Sequence, residues 1–283
     1  MKDLYRAMYL INGQEVSKED FNVPVEDMIV WRGDGIFEVV RIHEGFPFGL
    51  EHHLERMTSS ARKLNIKIDI NNIRQDILKV AGSTDNGYVR VIISRGTDKK
   101  EFQVFTFLQP IIDFPEDFTL HAQKAPWHPA GDFTENEFSA MGVKSTSYAL
   151  NMHHTRLAKE EGFTDALLLS RNNIVLEGPT FSIGWVVNDK IFTPSLNLGI
   201  LGSVTRKYLF TICKENKIEI EEVESSFDIL SEVDGVFILS TAKHVVAISR
   251  VNDIFYEENN LIHHLQNLYS QLVESERNKF NQE

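Results

Sequence analysis

Strand-like and helix-like apolar periods alternate along this chain, and its strands arrive in tight hairpins; that combination limits the fold more than any other feature. Residues 6–11 (Arg-Ala-Met-Tyr-Leu-Ile) end at Asn12-Gly13, the pair favoured where both central turn residues need positive φ, and Glu15-Val16 begins a return strand. Residues 36–42 are β-branched and aromatic, and Glu44-Gly45 turns them into Phe46-Pro47-Phe48. From Leu50 the period becomes helical, with Leu54, Met57, Ala61 and Leu64 on one face, and again over 71–81 with Ile73, Ile77 and Val80. Strand character returns at 88–94 and 102–108, across a polar turn at Gly96 to Lys100. Hairpins in place of strand-helix alternation predict mixed or antiparallel sheets.

Pro110, Pro115, Pro126 and Pro129, with acidic residues and Trp127 among them, mark a boundary. The expectation is a small domain over 1–115, a linker at 116–120 and a larger domain over 121–283, a size suited to two medium domains. Beyond the boundary the pattern predicts a helix from Lys144 to Glu161, a short strand pair at 165–169 and 174–176 across Arg171-Asn172-Asn173, and a hairpin at 186–191. A helix follows from Val204 to about Glu215, then strands at 218–223, 235–240 and 245–248. A final helix starts at Asn260 with Leu261, Leu265, Leu268 and Leu272 on one face.

Several functions are excluded early. A net charge of −12 opposes binding to nucleic-acid phosphates, and no apolar run is long enough to span a bilayer. One cysteine, Cys213, cannot form an internal disulfide or a thiolate-rich metal site, and the first residues lack a signal-peptide pattern, so a reducing cytoplasm is expected. No nucleophile elbow, zinc helix or phosphate loop is present. The pairs His52-His53, His153-His154 and His263-His264 point about 100° apart if helical, so neither member of a pair shares a metal with the other, and no metal site is expected.

The order of the remaining segments carries the chemistry. Trp31-Arg32-Gly33-Asp34-Gly35-Ile36-Phe37-Glu38 comes first, then Leu50-Glu51-His52-His53-Leu54-Glu55-Arg56. Next come Lys144-Ser145-Thr146-Ser147-Tyr148-Ala149-Leu150-Asn151 and Val175-Leu176-Glu177-Gly178-Pro179-Thr180. Thr193-Pro194 and Gly199-Ile200-Leu201-Gly202-Ser203-Val204-Thr205-Arg206 complete the series. This succession resembles the class IV aminotransferases, fold type IV enzymes that use pyridoxal phosphate. Branched-chain aminotransferases, D-amino-acid aminotransferases and aminodeoxychorismate lyases belong to that family. The resemblance runs from about Asn12 to Phe255.

It implies a mixed α/β fold of two domains, a smaller N-terminal α+β domain and a larger β-rich one, with the cofactor in the crevice between them and a homodimer as the working unit. Lys144 takes the place of the Schiff-base lysine; burial disfavours an ammonium and frees the amine to attack an aldehyde. Glu177, leaving an apolar strand, would hold the proton on the pyridine nitrogen. Gly199 to Gly202 opening a helix makes an anion site, where the backbone at Val204 and the hydroxyl of Thr205 would meet phosphate, with Arg56 as counter-charge and Thr241 closing the cup. Arg90, on the strand face of Tyr88 and Ile92, is expected to have an anionic partner. With Arg32 from the other subunit it would bind the substrate carboxylate, and Ala242 also falls to the substrate; for Arg32 an internal salt bridge is the competing account.

Two departures matter. Ser182 stands where many relatives have asparagine, and Tyr148 lies four residues after the lysine, with Ala149 at the fifth place where branched-chain enzymes carry tyrosine. These weaken a branched-chain assignment and bring the chain nearer to the D-amino-acid and lyase members. The expected reaction is ping-pong transfer of an amino group from an amino acid to a 2-keto acid, with Lys144 moving the proton. A lyase releasing 4-aminobenzoate and pyruvate is the nearest alternative, and a binding protein that has lost its chemistry is the third.

Overall fold

The computed structural model describes residues 7–97, 100–131 and 140–282, and contacts divide the chain into two compact units. The first holds Met1–Asp113, Val143–Tyr148 and Val273–Glu283; the second holds Phe114–Gly142 and Ala149–Leu272. Residues 116–120, read from sequence as a linker, include Phe118, which is 1% exposed, and the first residues of a strand.

The first unit opens with β1 (Tyr9–Ile11) and β2 (Gln14–Glu15), joined through Asn12 and Gly13 at φ 50° and 81° as the Asn-Gly pair predicts. The short helix α1 (Met28–Arg32) is capped by buried Asp27, whose carboxylate accepts from Ile29 N–H and from Ser94 Oγ. β3 (Gly35–His43) and β4 (Phe46–Pro47) follow, then α2 (Leu50–Lys63) and α3 (Ile70–Ala81). Asp69 caps α3 by accepting from the N–H groups of Asn71 and Asn72. β5 (Asn86–Thr97) and β6 (Lys100–Gln109) complete an antiparallel six-stranded sheet of order β2-β1-β6-β5-β3-β4. Part of the turn expected between those two strands lies outside the described residues. Ile36, Val40 and Ile42 of β3 with Val89, Val91 and Ile93 of β5 form one face of the core. Leu54, Met57, Ile73 and Ile77 from the two helices cover it. The period-two and period-3.6 residues thus meet where the sequence places them.

The second unit begins with β7 (Thr119–Lys124), α4 (Ala149–Glu160) and β8 (Asp165–Leu169). β9 (Ser182–Val187) and β10 (Lys190–Pro194) make the expected hairpin, with Asn188 and Asp189 both at positive φ. Next come α5 (Val204–Asn216), β11 (Ile220–Val223), β12 (Gly235–Ser240), β13 (His244–Ile248), β14 (Arg250–Val251), β15 (Ile254–Phe255) and α6 (Asn260–Phe280), which belongs to this unit as far as Leu272. Two mixed sheets result, of orders β11-β10-β9-β12-β13 and β15-β14-β7-β8, and Phe118, Leu167, Phe181, Trp185, Val236 and Ile248 belong to one core. In α6 the buried positions are Ile262, Leu265, Tyr269 and Val273; the all-leucine stripe read from sequence is therefore rotated, with only Leu265 on both.

His128 makes this unit acid-sensitive. Its Nδ1 accepts the Ala130 N–H at 3.0 Å, and burial pushes its pKa down to about 4, so the folded state keeps the imidazole neutral. A folded pKa below the ordinary value contributes stability that is complete above about pH 6.5 and is lost as pH falls toward 4. His128→Asn, which supplies an uncharged acceptor, is expected to show a smaller fall in Tm between pH 7 and pH 5 than the parent. Equal falls in a calorimetric comparison would remove His128 from the acid response.

Candidate active site

Lys144 lies in residues 143–148 of the first unit, against the start of β3. Phe37 N–H donates to the Lys144 carbonyl at 3.0 Å, Thr146 N–H donates to the Gly35 carbonyl at 2.9 Å, and Lys144 N–H donates to Ser60 Oγ at 3.3 Å. Thr146 Oγ1 and Ser147 Oγ both donate to the Gly33 carbonyl, at 2.7 and 3.0 Å. These bonds correct the helix expected from Lys144. Thr146 and Ser147 are tied by backbone and hydroxyl to Gly33 and Gly35 instead of to a helical turn, and the helix therefore starts at Ala149. Gly33 is required beside them: its φ is 64°, and a Cβ there would lie 2.8 Å from Ser147 Oγ.

The Lys144 Nζ sits 4.3 Å from the centre of the Phe37 ring and donates to the Tyr148 hydroxyl at 3.5 Å, while the two rings meet edge to face. Tyr148, displaced by one place from the branched-chain pattern, is thus beside the amine.

Arg90 shares the Phe37 ring, its guanidinium carbon 5.7 Å from the centre. Its described hydrogen-bond partner is the side-chain carbonyl of Gln109, to which Nε and Nη2 donate at 3.2 and 3.1 Å. Strand register gives the reason: Arg90 pairs with Phe107 and Tyr88 with Gln109, so Gln109 is the diagonal neighbour of Arg90. Burial disfavours the charge on Arg90 and Tyr148 opposes that effect. Arg90, half-buried beside Lys144, Phe37 and Tyr148, therefore holds a neutral amide and no acid among the described residues, a setting for a carboxylate. Arg32 stands elsewhere in the unit, exposed at the end of α1 with its guanidinium 4.5 Å over the Trp31 ring.

Arg56 on α2 is not a solvated helix arginine. Its Nε and Nη2 donate to the two oxygens of Glu38 at 2.7 and 2.8 Å, and Glu38 is fully buried. His53 Nδ1 lies 2.9 Å from the same carboxylate. Burial alone would raise the Glu38 pKa, but the Arg56 charge and the bonds from Arg56 and His53 outweigh it and hold the carboxyl well below the usual range. Burial pushes the His53 imidazole toward its neutral form, against the pull of Glu38. Sequence reading missed Glu38 and His53 as site residues. The available signal was alternation, because Glu38 shares its strand face with Ile36, Val40 and Ile42, and a carboxylate at a core-facing place needs a partner.

In the second unit, Glu177 accepts the Leu201 N–H at both oxygens, at 3.3 and 3.2 Å. Gly199, at φ 80°, ends a single 3-10 turn, and Ser203 caps α5 by accepting the Arg206 N–H at 3.1 Å. Ser203 Oγ accepts from Ser182 Oγ at 2.8 Å and lies 3.3 Å from Thr205 Oγ1. Ser182 thus supports the cap of α5. The N–H groups of Val204 and Thr205 have no acceptor among the described residues, the expected condition of a first helical turn, and the buried Thr205 hydroxyl stands with them. Thr241 and Ala242 occupy the half-buried turn between β12 and β13, in which Lys243 N–H donates to Ser240. Taken one unit at a time, the donor sets suit a phosphorylated aldehyde with a basic ring nitrogen. The first offers a primary amine and a pinned guanidinium, and the second offers a carboxylate and a helix N-terminus lined by hydroxyls.

Comparison with known proteins agrees. Residues 35–251 match the amino-transferase class IV family. The chain is 26% identical over 261 residues to an aminodeoxychorismate lyase of Bacillus subtilis (strain 168), covering 88% of each. It is 25% identical over 251 residues to a D-alanine aminotransferase of Bacillus licheniformis, covering 86% of this chain and 88% of that one. A fold IV transaminase from Curtobacterium pusillum superposes with a TM-score of 0.85 at 24% identity, covering 93% of this chain and 98% of that one, which shows the fold. With the motifs, the mixed sheets and the family match in agreement, the chain belongs to the class IV aminotransferases, a family dependent on pyridoxal phosphate.

Proposed function

We propose that this chain is a transaminase that takes the amino group from an amino acid and passes it to a 2-keto acid in two half-reactions. The observation that carries the reading is the Lys144 amine held over Phe37 beside a guanidinium, Arg90, that has no acid opposite it among the described residues.

Lys144 would hold the cofactor and, once displaced by substrate, take a proton from Cα onto Nζ and return it. Bound pyridoxal phosphate supplies the sink for the electron pair left at Cα. Glu177 would keep a proton on the ring nitrogen, its own charge held in place by the Leu201 N–H. The amides of Val204 and Thr205, the hydroxyls of Thr205 and Thr241, and Arg56 would hold phosphate. Arg90 would fix the α-carboxylate, with Ala242 lining the substrate. We also assign Arg32 to the partner of a homodimer. Val25, Val30 and Trp31 beside it are 72%, 52% and 55% exposed, an apolar surface that a second copy would cover.

Arg90→Leu is expected to raise KM for the amino acid by about 10- to 100-fold, the loss of a charge-assisted hydrogen bond, with a smaller change in kcat. An unchanged KM would remove the carboxylate role.

The deciding experiment is a single-turnover panel of D- and L-amino acids with 2-oxoglutarate or pyruvate as acceptor. Conversion of the cofactor to its amine form with release of a keto acid supports transamination. No conversion by any amino acid, with release of pyruvate and 4-aminobenzoate from aminodeoxychorismate, would make the chain a lyase instead, a reading favoured by its likeness to the Bacillus subtilis protein.

A further inference from the structure

Four donors converge on the Glu38 carboxylate. Arg56 Nε reaches Oε1, and Arg56 Nη2, His53 Nδ1 and the Val39 N–H, the last at 3.3 Å, reach Oε2. A carboxylate has about four lone-pair sites, and four bonds reach this one, all from within the first unit. The bidentate pair engages one edge of the Arg56 guanidinium and fixes its plane, which a single contact would leave free to swing. His53 adds a second side chain on Oε2 and is itself 1% exposed, its Nε2 without a partner among the described residues.

The neighbouring residue on the same strand, Phe37, holds Lys144 twice, through its N–H to the Lys144 carbonyl and through its ring beneath Nζ. Two consecutive residues of β3 therefore set the positions of the amine and of the guanidinium. A ligand that bears an aldehyde at one end and a phosphate at the other is measured by that spacing.

We infer that Glu38, backed by His53, is the positioning residue that makes this chain select a phosphorylated aldehyde, by aiming Arg56 relative to Lys144. This rests on the reading above that Lys144 bonds the aldehyde and Arg56 meets the phosphate. Glu38 acts through Arg56 and has no contact with the ligand in this account.

The test compares uptake of pyridoxal phosphate and of pyridoxal by the apoprotein, read as the new absorbance and as borohydride-fixed mass at Lys144, in the parent, E38Q, R56M and the double variant. Glutamine keeps the shape but turns a donor toward donors, so the ratio of phosphate to phosphate-free uptake should fall at least about tenfold in E38Q. In the R56M background E38Q should lower the ratio no further. An E38Q ratio equal to the parent's, or an additional loss on top of R56M, overturns the inference. Where E38Q does not fold, E38D carries the same measurement, since it keeps the charge but withdraws it by one methylene. A parent that fixes no adduct at Lys144, or an R56M ratio equal to the parent's, would instead overturn the underlying reading of the site.

Discussion

Lys144→Ala should fold normally and lose turnover by about 10⁴-fold, the upper end of what a positioned acid-base group contributes. Normal folding is expected because what ties residues 143–148 to β3 is backbone and hydroxyl bonding, including the Phe37 N–H to the residue 144 carbonyl, and none of it uses the lysine side chain. The loss is large because the proposed reaction gives one Nζ two duties, bonding the cofactor and moving the substrate proton. Steady-state rates with the best amino acid, together with borohydride treatment and peptide mapping, measure both. A variant within tenfold of the parent, or an adduct fixed at another lysine, would sink the assignment. Addition of a small soluble amine should restore part of the rate, because it replaces the proton carrier while the rest of the site stands.

Glu177→Gln comes second, with kcat expected to fall by about 10²- to 10³-fold, the range seen when one preorganised electrostatic partner of a developing charge is removed. The amide oxygen can still accept from Leu201 N–H, so the local fold is kept, and the carboxylate charge alone is lost. KM should move little, because the substrate carboxylate is assigned to Arg90. Stopped-flow measurement of the first half-reaction isolates the step. Equal rates for parent and variant would show that the ring proton is held by something else.

Local features were legible in the sequence because their causes are local. Asn12-Gly13 and Asn188-Asp189 named their turns, and the apolar periods placed β3, α2, α3 and α5 within a residue or two. What failed depended on partners distant in sequence. The start of α4 was misplaced because Thr146 and Ser147 bond to Gly33, more than a hundred residues away. For Arg90 the sequence showed a charge in need of an anion but not its diagonal cross-strand neighbour Gln109. Arg56 was read as a counter-charge to phosphate, but its tie to Glu38 on β3 went unseen, because the two lie eighteen residues apart. The motif residues were found in order; the bonds that orient them were not.

Residues 143–148 belong with the first unit although the chain before and after them belongs with the second. Anyone dividing the gene at residue 113 would leave Lys144 on the wrong fragment, and the excised N-terminal piece would present Phe37 with no lysine to hold. Expressing the halves apart should therefore yield two inert polypeptides. For the same reason, recombination between relatives is constrained here, since a crossover between the two boundaries would pair one parent's β3 with another's amine-bearing loop.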